Sequence, residues 1–139
     1  ECKKYYNRSL QFLKDREIQR ALFYFGASCH LVQDVTVPHH VNNKLLNSHR
    51  KFELWIIGKL MTDYSFTTEE EPIMYDKVDD FIKNNAIMAN STYIKNRNIE
   101  SREERYGRIS MIIIKEAERT TAGFMLKYFN EIKNLKILP

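Results

Sequence analysis

Tyr106, Ile109, Ile113, Ala117, Thr120, Phe124 and Tyr128 recur at spacings of three and four, which lays one mostly apolar stripe along a helix from about Arg102 to Ile132. A stripe of that length has to be covered by other helices. The chain supplies them. Tyr5, Tyr6, Ser9, Leu10, Phe12 and Leu13 fall mostly on one side of a helix from about Lys3 to Lys14. A second helix, about Arg16 to Val35 with Asp15 as its N-cap, turns Ile18, Ala21, Leu22, Phe25, Cys29 and Val32 inward. Pro38 stops that run, and a loop from His39 to Asn47 follows. Asn47 or Ser48 caps a third helix to about Tyr64, with Phe52, Trp55, Ile56, Leu60 and Met61 inward. The acidic run Thr67–Pro72 is expected to start a fourth helix, about Ile73 to Tyr93, since carboxylates favour the positive end of the helix dipole. Lys95 to Ser101 is a loop. Only 4 Gly and 3 Pro occur, too few for a turn-rich β fold. The expected architecture is an all-α bundle of about five helices in a single helical domain spanning residues 1–139.

With 43% hydrophobic and 29% charged residues, the composition is that of an ordinary globular chain, and 8 Tyr and 8 Phe supply a core. The net charge of +4 permits contact with phosphates or anionic lipid, but no basic stripe interleaved with aromatics marks a nucleic-acid binder. The longest apolar run, Met111 to Ile114, is far too short to cross a membrane. Cys2 and Cys29 could bridge or stay free; Cys29 is expected to be a small buried residue and not a ligand. The chain starts at Glu1 inside a helix, without an initiator methionine or signal peptide, which reads as a processed form or a fragment.

All four histidines fall in one stretch: His30, His39, His40 and His49. Asp34 and Glu53 lie among them, and His30/Asp34 and His49/Glu53 are each four residues apart, on one face of a helix. A lone His-x3-Asp is most often a surface or capping pair, and a His-His after proline is usually loop. Together, four imidazoles and two carboxylates form the donor set of zinc sites that keep an open position, a set that also suits manganese and iron. Asp34, with two oxygens, is the natural bridge between two metals.

The ordered pieces A-x-x-Y-x-G (Ala21, Tyr24, Gly26), H-x3-D (His30, Asp34), V-x-x-P-x-H (Val35, Pro38, His40) and H-x3-E (His49, Glu53) resemble the zinc-dependent phospholipase C family. This is the bacterial group that includes the Bacillus phosphatidylcholine-hydrolysing enzyme and the clostridial alpha-toxins. The run Arg119, Thr121, Ala122, Gly123 is similar to the R-x-T-A-G of its last helix. The resemblance covers nearly the whole chain and implies a fold like that of phospholipase C and P1 nuclease. It implies that His40, His49 and Glu53 form a complete zinc site and that His30 and Asp34 belong to a second, with Asp34 bridging to a third. His39 then occupies a variable position, exposed or behind the ligands. The resemblance gives Asp34 and Glu53 the catalytic positions, Glu53 as a zinc ligand.

The family's remaining ligands, an N-terminal tryptophan and further histidines, have no counterpart here, since no histidine precedes His30. The expectation is that the chain is the C-terminal portion of a larger catalytic domain, with one complete zinc site, a half-site, and an upstream segment completing the cluster. The implied activity is zinc-dependent hydrolysis of a phosphodiester in a phospholipid, at a membrane surface and in the extracellular space. The alternatives are a single-strand nuclease of the S1/P1 type, with nucleic acid the less favoured partner, and a non-catalytic zinc-stabilised helical module. Asn7 and Asn90 begin glycosylation sequons that read as chance.

Overall fold

The computed structural model describes residues 1–42, 45, 48–62 and 65–136. All regular structure among them is helical: α1 (Cys2–Lys14), α2 (Ile18–Asp34), α3 (Pro38–Val41), α4 (His49–Leu60), α5 (Val78–Asn96) and α6 (Arg102–Asn134). The fold class is the expected all-α one. The sixth helix is α3, in a stretch expected to be loop. No helix among the described residues is long and apolar enough to cross a membrane.

The long helix α6 is the spine. Its stripe buries Tyr106, Ile109, Ile113, Thr120, Phe124 and Tyr128, and Ser101 caps its start by accepting from the Glu104 N–H. Along its C-terminal half the main core gathers Tyr6 and Leu10 of α1, Phe25 and Val32 of α2, and Phe81 of α5 around Phe124 and Tyr128. The Phe25 and Tyr128 rings stack at 3.8 Å, and Phe81 meets Phe124 edge-on at 5.1 Å. Several polar atoms inside are matched: Ser9 Oγ donates to Ala21 O at 2.7 Å, and Tyr6 Oη donates to Glu131 Oε2 at 2.7 Å. Asn85, fully buried, ties three helices together by donating to Val32 O and Thr120 Oγ1. A second, smaller core forms along the N-terminal half of α6, where Phe52 of α4 packs on Tyr106, Ile109 and Ile113.

Four expectations change. Asp15 does not start α2; it ends α1. Arg16 stands at φ 61°, with its N–H on Leu13 O and the Glu17 N–H on Phe12 O, a Schellman termination. Ile18 and Leu22 are exposed on α2, whose buried face is made by Ala21, Phe25, Ser28, Cys29 and Val32. On α4, Phe52 is inward with Trp55 and Ile56 partly so, but Leu60, the last residue of the helix, and Met61, its C-cap, face solvent. The α4 residues Asp63 and Tyr64 expected at its end lie outside the described residues, as does Asn47.

The acidic run does not start a helix. Residues 65–77 cross α6 without regular structure, and α5 begins only at Val78. Tertiary contacts win here. The Ile73 N–H donates to Arg119 O at 3.1 Å, Arg119 Nε donates to Glu71 O at 2.9 Å, and Glu70 pairs with Lys115 and Arg119. A Cβ built on Gly123 would stand 1.8 Å from Ile73 O, so this crossing needs glycine.

Candidate metal centre

Three elements meet at the histidine stretch. Val37 is extended (φ −86°, ψ 119°) because it precedes proline, and Pro38 opens α3 at a first-turn position where its missing N–H costs nothing. The turn of α3 then carries His39 and His40 back towards α4. His39, expected to be exposed or behind the ligands, is buried. Its ring stacks on Phe52 at 4.8 Å, and its Nδ1 has no partner. Burial, and then the nearby His49 and His40, push its pKa down from 6.5 to about 4, so it packs as a neutral ring.

His40 faces the other way, onto the first turn of α4. Its Nε2 lies 2.5 Å from His49 Nε2, and His49 Nε2 lies 2.9 Å from Glu53 Oε1. The donor atoms of His40, His49 and Glu53 all fall within 4.8 Å of one another. The sequence spacing explains half of this, since His49 and Glu53 are one turn apart on α4; the short α3 turn brings the third.

Asp34, at the last turn of α2, approaches from behind. Its Oδ1 is 2.7 Å from His40 Nδ1, and its backbone O is 3.0 Å from the same nitrogen. Both are acceptors, so Nδ1 must carry the proton. In the neutral ring that leaves Nε2 with its lone pair, aimed at His49 and Glu53. A carboxylate on the outer nitrogen of a ligating imidazole is the usual way such a ring is oriented and made more basic.

Neutral His49 has one N–H to offer, so its Nε2 can donate to His40 Nε2 or to Glu53 Oε1 but not to both at once. A single proton bridges one gap at a time; a metal ion can satisfy all three donors. Two His and one Glu, with the Glu53 side chain half exposed, form a three-ligand site open to solvent, and the residues fit zinc.

The five candidate ligands are therefore placed as follows. His40, His49 and Glu53 converge. Asp34 touches His40 and keeps a second oxygen. His30 is exposed on α2, one turn before Asp34, and is not part of the three-residue cluster. The contact of Asp34 with the back of His40 was not foreseen, because the His-x3-Asp spacing directs attention to His30. Neither cysteine belongs to the three-residue cluster: both are free and buried, and burial pushes Cys2 up to about 12 and Cys29 up to about 11. A groove of about 800 Å³ runs between α4 and α6, lined by Trp55, Lys59, Glu103, Arg108 and Met111; none of the five candidate ligands borders it.

Residues 1–130 match the sequence model of a family described as zinc dependent phospholipase C. No curated protein and no solved structure matches the chain.

Proposed function

Since the chain belongs to the zinc-dependent phospholipase C family, we propose that His40, His49 and Glu53 hold a zinc ion and that the site hydrolyses the phosphodiester of a phospholipid head group. The observation that supports this reading is the convergence of those three donors with Asp34 on the outer nitrogen of His40. A zinc ion bound there supplies a water made acidic enough to ionise near neutral pH and a positive charge for a phosphoryl oxygen. The chain's own residues set the geometry. Asp34 fixes the His40 tautomer through the Nδ1 proton and keeps a second oxygen, one helical turn along α2 from His30. His30 and Asp34 thus form a half-site for further zinc. Glu53 directs one oxygen at His49; as a ligand it is a neutraliser of charge and does not act alone as the base.

The test is metal content, stability and turnover measured together on the full chain. The expected result is bound zinc that survives dialysis and release of phosphorylated head group from phosphatidylcholine. His49→Ala and Glu53→Ala should each lower zinc content and Tm in parallel, because metal-binding energy is folding energy here. Unchanged zinc in both variants would sink the site assignment. Tightly held zinc without turnover of lipid or nucleotide esters would leave a zinc-stabilised module.

A further inference from the structure

Helix α4 carries its candidate ligands and most of its uncovered apolar residues on one stripe, with exposed Leu54 to one side. His49, Glu53, Ile57 and Leu60 follow one another at intervals of four, four and three, and Met61 adjoins them. Ile57 is 53% exposed, Leu60 59% and Met61 85%. These are not core residues turned slightly out. The core side of α4 is set by Phe52, fully buried against α6; by helical geometry Ile57 projects about 140° and Leu60 about 80° away from it.

Resting on the phospholipase reading, we propose that this stripe docks on the surface of a phospholipid bilayer, with Ile57, Leu60 and Met61 entering the boundary between head groups and acyl chains. Apolar residues of a helix at that boundary sink to the edge of the acyl region, and a helix tilted so that its C-terminal end enters leaves its N-terminal end at head-group depth. On α4 the polar end is the ligand end, so the same pose brings a head-group phosphodiester to His49 and Glu53. Charge agrees with this occupant. Arg50, exposed in the first turn of α4, lies on the same side of the helix as Ile57, where phosphates of the lipid surface would lie. Leu22 and Phe23 of α2 are also exposed, but neither leads into the cluster.

The experiment is co-sedimentation of the full chain with vesicles of phosphatidylcholine containing about one third phosphatidylserine, comparing wild type with I57Q/L60Q/M61Q. Glutamine keeps the helix propensity of the stripe. The expected result is a fall in vesicle partitioning of about tenfold or more, with zinc content, Tm and hydrolysis of short-chain, monomeric phosphatidylcholine unchanged. Arg50→Gln should weaken binding to these anionic vesicles by about fivefold. Equal binding of wild type and the triple variant overturns the proposal. So does a wild-type dimer in sedimentation equilibrium that the triple variant dissolves, since a second copy would then be the occupant. Vesicle binding is read without turnover, so a chain that binds through this stripe yet hydrolyses nothing refutes the catalytic reading and not the docking one.

Discussion

Asp34 is the residue whose role shifts most between sequence and structure. By spacing it pairs with His30; in space its Oδ1 lies 2.7 Å from His40 Nδ1. Two substitutions separate orientation from ligation. Asp34→Ala removes that acceptor but leaves the backbone carbonyl of residue 34, 3.0 Å from the same nitrogen. The expected loss in zinc affinity at the three-residue site is therefore near the lower end of the usual range for such outer contacts, about tenfold. Asp34→Asn keeps an acceptor oxygen and should recover most of that loss if orientation is the role. Zinc titration against a competing chelator reads both; equal losses would mean that the charge of Asp34 acts directly on metal. The neighbouring His39 teaches the complementary lesson. Nothing in Pro38-His39-His40 says which imidazole turns inward. That is decided by Phe52, thirteen residues on, whose ring offers His39 a stacking partner. The identity of the donors, and through the V-x-x-P-x-H resemblance the choice of His40 over His39, was thus legible, while the packing of His39 on Phe52 and the orienting contact of Asp34 depended on contacts that no local pattern encodes.

At the scale of elements, helices with an unbroken stripe were easy to read and crossings were not. The periodicity of α6 located it from Arg102 to within two residues of its end, because one face meets the core along its whole length. The crossing segment failed to obey its composition. Three glutamates before a proline suit a helix start, yet Glu70 is held by Lys115 and Arg119, and the Ile73 N–H is taken by Arg119 O. The partners lie more than forty residues away, so local propensity could not reveal them. The R-x-T-A-G run gains a physical meaning from this crossing: Arg119 fastens the segment and Gly123 lets it pass. Gly123→Ala should destabilise the fold by about 3 kcal/mol, at the upper end for overpacking, since the new Cβ meets backbone 1.8 Å away. Gly58→Ala is the control. It meets nothing within 4 Å on α4 and should stabilise by about 0.5–1 kcal/mol through helix propensity. Urea denaturation of the two variants checks both signs; a neutral Gly123→Ala would mean that the crossing segment does not press on α6.

In the molecule as a whole, the candidate centre sits on the less well anchored side. α1, α2, α5 and the C-terminal half of α6 share the larger core, built on Tyr6, Phe25, Phe81, Phe124 and Tyr128. α4 reaches α6 through a smaller one, in which Phe52 is its single buried residue, with Trp55 and Ile56 partly covered. The four residues of α3 are too few to hold a helical turn without tertiary support. A metal bound by His40 of α3 and by His49 and Glu53 of α4 would join these two elements, and Asp34 would extend the link to α2. Its binding free energy should then appear as local stability in α3 and α4 and hardly at all in the larger core. Hydrogen exchange followed with zinc and after its removal by a chelator tests this. At free zinc about 100 times the Kd, amides of α4 that exchange through this local opening should be protected about 100-fold more than in the metal-free chain, equivalent to about 2.7 kcal/mol. Amides of α2, α5 and the C-terminal half of α6 facing the larger core should change little. Protection gained evenly along the chain would instead place the metal's contribution in the global fold, and no gain in α4 would remove His49 and Glu53 from the site.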